Sequence, residues 1–96
     1  MLECIKKIAM QIIEELMDSN KYIHAAEKHK DEYPELADLY RDLSAEELKH
    51  AERLHDAGTR IAEASEDHDA QVVWDWETER MEKWIKDIKV LHEMYK

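Results

Sequence analysis

The sequence has very few of the residues that interrupt helices or cross-link chains. Among its 96 residues there are one glycine, one proline, one cysteine and no phenylalanine. Because Gly and Pro are the strongest breakers of regular structure, their scarcity favours a chain that is helical almost throughout. The abundant residues are good helix formers, which points the same way. The single Cys4 excludes a disulfide framework or a thiolate zinc site built within one chain.

Basic residues and long apolar runs are also scarce. The 14 Lys and Arg residues stand against 24 Asp and Glu, which gives a net charge of −10 at pH 7. Phosphate contacts need clustered Lys and Arg, so no nucleic acid and no anionic membrane surface is expected as a partner. No stretch approaches the roughly 18–20 apolar residues of a membrane span. The negative charge suits a soluble, self-repelling protein or one that attracts cations. Lys6 and Lys7 interrupt the first apolar residues, unlike a signal peptide, so we expect a cytoplasmic protein.

Apolar residues recur at helical spacing in three segments, and we interpret residues 1–96 as a single helical domain. The predicted helices cover residues 2–31, 34–66 and 70–95. Pro34 suits the first turn of helix 2, and Asp67 or Asp69 is a plausible N-cap for helix 3. Rods about 40 Å long bury little core per residue. We therefore predict an all-α half-bundle of three antiparallel helices, completed by pairing into a homodimer or higher homo-oligomer.

Each predicted helix carries an acidic residue on or beside its apolar face, near mid-length. The helix 2 stripe passes through Leu36, Tyr40, Leu43, Leu54 and Ile61. Glu47 and His50 fall within this stripe, at positions where leucines would complete the series. Glu77 holds a comparable place on helix 3, and Glu15 lies at the margin of the helix 1 stripe.

Carboxylates that face a core together lose hydration and repel one another, which raises their pKa values. A bound divalent or trivalent cation would offset both effects. Carboxylate and imidazole ligands suit iron, manganese and zinc, and an E-x-x-H offset places both side chains on one helix face. The sequence therefore predicts a metal site formed by Glu15, Glu47, His50 and Glu77.

Simpler explanations of the same residues are open. A second E-x-x-H, Glu52 with His55, has its glutamate facing outward, so the motif by itself has little specificity. Ser44 and Glu47 match a capping box, which would start a helix at Ser44.

The acidic residues predicted on helices 1 and 3 also have simpler explanations. Glu77 could form a structural ion pair with Arg80, one turn further on, and Glu15 could simply be solvated at the edge of its stripe. The inward polar residues would then only set the register and oligomeric state of a non-enzymatic interaction module.

Three segments resemble rubrerythrin and other ferritin-like proteins. YPELADLY at residues 33–40 and AEELKHAERL at residues 45–54 are similar to the family's second helix, and EELMD at residues 14–18 is similar to its first ligand helix. The resemblance covers about residues 8–55 and implies a di-iron carboxylate bundle in which Glu47 and His50 are ligands. The family's spacing matches its helix 1 glutamate to Glu14, whereas the apolar phase of this chain favours Glu15, which we adopt.

The chain also departs from the family pattern. The family has four helices and a second E-x-x-H on the last, whereas this chain has three predicted helices and Arg80 in place of that histidine. Its length is similar to that of encapsulated ferritins, half-ferritins that build their site between two subunits, and it also resembles small phage-encoded ferritin-like proteins. The resemblance implies an iron-binding protein, with Mn or Zn as other occupants. An active form would be a ferroxidase, oxidising Fe(II) with oxygen or peroxide; the alternative function is the interaction module.

Overall fold

The computed structural model describes all 96 residues and consists of three long helices with short connections. They are α1 (Leu2–His29), α2 (Pro34–Ala64) and α3 (His68–Met94). The connections are too short for a crossover, so successive helices run antiparallel in a rod of 53 × 18 × 14 Å. None of the helices contains an apolar stretch that could cross a membrane. The predicted all-α architecture of three antiparallel helices is confirmed.

The helix ends follow from local chemistry. Pro34 lies in the first turn of α2, where its missing N–H leaves no hydrogen bond unmade. The Asp67 side chain caps α3 by accepting a hydrogen bond of 3.2 Å from the backbone N–H of Ala70. This cap starts α3 at His68, two residues before the predicted start at residue 70. The first two helices each end two residues before their predicted limits.

The core is built from large side chains on α1 against small side chains on α2. Ile5, Ile12, Leu16 and Ile23 are fully buried on α1, as the periodicity of helix 1 predicts. The buried residues of α2 are mostly small: Ala37, Ser44, Leu48, Ala51, Gly58 and Ala62. Helix α3 closes the core with Ala70, Trp74, Met81 and Ile88.

The predicted core face of α2 is the main difference between expectation and structure. Leu36 is exposed, and Tyr40, Leu43, Leu54 and Ile61 are only half-buried. Small residues allow two helices to approach closely, and the buried face of α2 consists mostly of Ala, Ser and Gly. The large side chains of the predicted stripe lie to one side of this face. We call this strip of α2 the open seam; it comprises Leu36, Tyr40, Leu43, Glu47, His50, Leu54, Ala57 and Ile61.

Two contacts fix how α3 lies on the other helices. The indole ring of Trp74 fits over Gly58, where a side-chain methyl group would overlap it, and its Nε1 donates a hydrogen bond of 3.1 Å to Thr59 Oγ1. The buried hydroxyl of Ser44 lies 2.9 Å from His92 Nε2 on α3.

Ser44 also joins α2 to α1. Its hydroxyl donates to the Ser19 carbonyl at 2.7 Å, and the Ser19 hydroxyl donates to the Ser44 carbonyl at 2.8 Å. Since the hydroxyl proton of Ser44 is used in this way, His92 Nε2 is the donor in its contact with Ser44. Ser44 lies inside the continuous helix α2, so the interpretation of Ser44 as a helix cap is wrong.

Candidate metal centre

Glu15, Glu47 and His50 come together near the middle of the antiparallel α1–α2 pair. One donor atom from each side chain lies within 4.8 Å of the other two. His50 Nδ1 is 3.6 Å from Glu15 Oε2 and 3.8 Å from Glu47 Oε1. The E-x-x-H offset places Glu47 and His50 one turn apart on the open seam. The antiparallel packing of α1 brings Glu15 to the same level.

The position of Glu15 agrees with the apolar phase of α1 rather than with the spacing of the family motif. Its side chain is 28% exposed, whereas Glu14 is exposed to solvent and lies outside the cluster. The Oε2 atom of Glu15 is buried and has no hydrogen-bond partner. An ionised carboxylate oxygen without a partner is costly to bury, so this atom requires either a cation or the proton of a neighbouring carboxyl group.

The electrostatic interactions of the cluster act most strongly on the pKa of Glu47. A hydrogen bond with the Glu15 side chain, burial and the negative charge of Glu15 together raise the pKa of Glu47 to about 7. The positive charge of a protonated His50 acts in the opposite direction, and Asp18 adds a weaker repulsion. Close to neutral pH the pair of carboxylates therefore shares one proton, since both cannot ionise cheaply side by side.

The donor set fits a transition metal. Two carboxylates and a neutral imidazole are hard to borderline ligands, which suit iron, manganese and zinc. Ligand atoms at about 2.1 Å from a metal lie roughly 3 Å apart, so the measured separations of 3.6 and 3.8 Å need only small side-chain shifts. A metal there would contact the buried Oε2 atom of Glu15 in place of the proton that Glu15 and Glu47 share.

The cluster opens to the surface through a cavity of about 560 Å³ at one edge of the open seam. The cavity is lined by Glu15, His50, Arg53, Leu54, Asp56, Ala57 and Arg60. The His50 side chain is 52% exposed, while that of Glu47 is 23% exposed. One side of the donor set is thus held by the α1–α2 pair, and the other side faces solvent.

Glu77, the fourth residue of the predicted set, lies elsewhere. It lines a separate groove between α1 and α3, and its carboxylate accepts a hydrogen bond of 2.8 Å from Arg80. This is the ion pair that the sequence had left open as the simpler explanation. The second E-x-x-H is also separate: Glu52 pairs with Lys89 at 3.3 Å, and the His55 ring stacks on Trp74.

Two residues beside the cluster were not singled out from the sequence. Arg53 and Arg60 line the cavity with Glu15 and His50. They follow His50 by three and ten residues, which places them near the same side of α2. Helical periodicity was therefore a usable signal, but it does not tell which exposed arginines lie beside a cavity.

Comparison with known proteins gives one match. A family model described as Rubrerythrin covers residues 6–96, and thus nearly all of the chain. No curated protein and no solved structure matches the chain significantly. The matched range extends beyond residues 8–55, where the sequence resemblance lay, and includes α3. Together with the helical bundle and its Glu/His cluster, this match shows that the chain belongs to the rubrerythrin family, with its ferritin-like fold.

Proposed function

We propose that this protein binds iron through Glu15, Glu47 and His50, and that two copies bring two such sets together in one site. The observation that carries the proposal is the convergence of three donor atoms from two helices within 4.8 Å, one of them a buried carboxylate oxygen without a partner. Members of the family use such donor sets for a di-iron centre. Mn or Zn would suit the same donors.

The open seam supports the proposed pairing. It presents large apolar side chains at alternating spacings of four and three residues, from Leu36 to Ile61, with Glu47 and His50 in the middle. Such a strip is normally covered by another helix. A second copy laid on it would complete a bundle of four helices around the site and would bury the exposed side of His50. Each chain would then contribute half of the ligands.

The chemistry follows from the donors. Bound iron would supply electron exchange with oxygen or peroxide, which would make the protein a ferroxidase. The carboxylates of Glu15 and Glu47 favour the more highly charged oxidation state, because oxygen ligands suit hard cations. Glu47 gives up the proton that it shares with Glu15 when a cation is bound. The cavity beside His50 is wide enough for a small oxidant to enter. We also propose that the protein is located in the cytoplasm.

Anaerobic Fe(II) titration by calorimetry tests the metal site. We expect binding to the wild type, a raised melting temperature, and loss of both in the double variant Glu47→Ala with His50→Ala. The matched control is Glu52→Ala with His55→Ala, which removes the other E-x-x-H and keeps Fe(II) binding. If the wild type does not bind, or if the double variant binds unchanged, the interaction module becomes the better account.

Sedimentation tests the pairing. Leu54→Glu places a charge on the open seam and is expected to shift a dimeric protein towards monomers, because the charge would be buried between copies. Trp76→Glu is the control, since Trp76 is 76% exposed on α3 and lies off the seam. A wild type that is monomeric with iron bound, or dissociation by Trp76→Glu alone, would contradict the proposed pairing.

A further inference from the structure

Two arginines have no ionic partner in a chain that is rich in acids. The chain contains four arginines and 24 acidic residues. Arg41 and Arg80 each contact a carboxylate, at 3.6 and 2.8 Å. Arg53 and Arg60 form no salt bridge, and both line the cavity beside the proposed metal site. The unpaired guanidinium groups are thus concentrated at one place.

Their spacing suits a shared ligand. Arg53 and Arg60 are seven residues apart, which is two turns of α2 and about 10 Å along its axis. Asp56 lies between them on the cavity wall and forms a salt bridge with neither. Each guanidinium group therefore keeps its hydrogen-bond donors free for a molecule in the cavity. Arginine is the side chain best suited to hold a phosphate or carboxylate through two parallel hydrogen bonds.

We propose that the cavity between His50 and Arg60 binds a tetrahedral oxyanion of the phosphate type, held by Arg53 and Arg60 next to the metal. This inference rests on the proposed function, because the bound metal supplies the charge that makes the cavity attractive to an anion. Without it, Glu15 and Asp56 on the wall and Glu47 beside it oppose the two arginines. With a divalent cation, positive charge prevails in the cavity.

The two ligands should strengthen each other. An anion close to a cation lowers the free energy of both, and linkage requires the effect to be equal in both directions. Coupling between adjacent sites typically changes an affinity by about 5-fold to 150-fold. The cavity, at about 560 Å³, exceeds the size of inorganic phosphate, so it also admits a small phosphate monoester.

Calorimetric titration of the full chain with Mn²⁺, with and without inorganic phosphate, measures this coupling. We expect phosphate to raise the Mn²⁺ affinity of the wild type at least about fivefold. Arg53→Gln with Arg60→Gln should abolish this gain, while the affinity for Mn²⁺ alone stays the same or rises, because two positive charges are removed from beside the cation. Both side chains are exposed, so the variant should fold.

Arg80→Gln is the matched control, since it removes the same charge from an arginine that lies off this cavity. It should keep the phosphate effect. A wild type without phosphate enhancement, or enhancement that persists in the Arg53 and Arg60 double variant, would overturn the inference. Repeating the titration with glycerol phosphate distinguishes a phosphate monoester from free phosphate as the ligand. A larger increase in Mn²⁺ affinity with the ester identifies the monoester, and a smaller increase identifies the free ion.

The failures of the two proposals can be distinguished. If the wild type binds no Mn²⁺ and no Fe(II), the proposed function is wrong. The oxyanion inference then fails with it, because no bound cation offsets the acidic residues around the cavity. If the wild type binds Mn²⁺ but phosphate leaves its affinity unchanged, the proposed function stands and only the oxyanion site is rejected.

Discussion

Glu47 on α2 and Glu15 on α1 lie close enough to share a hydrogen bond, and this contact raises the pKa of Glu47 to about 7. Burial and the negative charge of Glu15 act in the same direction. The metal-free protein therefore retains, at the centre of the cluster of Glu15, Glu47 and His50, a proton that solvent-exposed glutamates have lost. Binding a cation must release this proton, so metal affinity should rise with pH until Glu47 is fully ionised.

Because of this proton, the metal-free protein becomes less stable as the pH rises from 4.5 to about 7. The folded pKa of Glu47 lies above its unfolded value of about 4.5, so the folded state binds more protons between these two values. Stability contributed by Glu47 is complete below pH 4.5 and is lost as the pH rises through about 7. The full shift corresponds to an upper limit of about 3 kcal/mol.

Glu47→Gln should remove this dependence, because the amide stays neutral and can still donate to Glu15. In urea denaturation with a chelator present, the variant should equal the wild type at about pH 4 and exceed it at about pH 8 by about 1–3 kcal/mol. Comparing the two proteins cancels the contribution of His92, whose pKa is lowered by burial and by Arg41. A constant difference at all pH values would show that Glu47 and Glu15 do not share a proton.

Glu15 and Glu14 can be distinguished as ligands by a matched pair of variants. Glu15→Gln should weaken Fe(II) or Mn²⁺ binding at least about tenfold, since it removes a charged donor from the cluster. Glu14→Gln removes the same charge from an exposed neighbour and should leave the affinity nearly unchanged. Calorimetry gives both values, and a larger loss for Glu14→Gln would assign the ligand by the family spacing instead.

These residues also show how far the sequence predicts the site. The phase of the large apolar side chains on α1 identifies its buried face, and with it the inward position of Glu15. On α2 the same reasoning fails, because the buried positions are mostly small residues such as Ser44, Ala51 and Gly58. The leucines of the predicted stripe, Leu36, Leu43 and Leu54, are not fully buried. Residue size determines which face of a helix can approach another, and hydrophobicity alone does not encode that. Whether Glu77 faces the cluster or pairs with Arg80 depends on how α3 is rotated about its own axis. The apolar periodicity of α3 does not determine this rotation.

The buried hydroxyl of Ser44 should contribute strongly to stability. It is hydrogen-bonded to Ser19 on α1 and to His92 on α3, so it joins all three helices at one point. Ser44→Ala leaves the Ser19 carbonyl and His92 Nε2 without this partner. We expect a loss of about 1–3 kcal/mol in the free energy of unfolding, measured in urea.

Ser19→Ala and the double variant complete a cycle for this contact. Because the two serines exchange hydrogen bonds, their losses should not add, and the double variant should be more stable than the sum of the single losses predicts. Additive losses would mean that the two hydroxyl groups act independently.

The contact between Gly58 and Trp74 gives the sharpest test of the packing of α3. Gly58→Ala would normally stabilise a helix by about 1 kcal/mol, because alanine is the better helix former. Here the added methyl group would overlap the buried indole ring of Trp74, and displacing a packed ring costs about 1–3 kcal/mol. We therefore expect the variant to be less stable than the wild type by up to about 2 kcal/mol, with α3 shifted away from α2.

Trp74→Leu separates the two contributions to this effect. In that background the ring is absent, so adding Gly58→Ala should cost less or become stabilising, as helix propensity alone predicts. Urea denaturation of the four proteins measures the coupling between positions 58 and 74. A gain in stability from Gly58→Ala in the wild-type background would mean that Trp74 does not pack against Gly58. The sparse contact between α2 and α3 would then have to depend on other residues, such as Glu52 and Lys89.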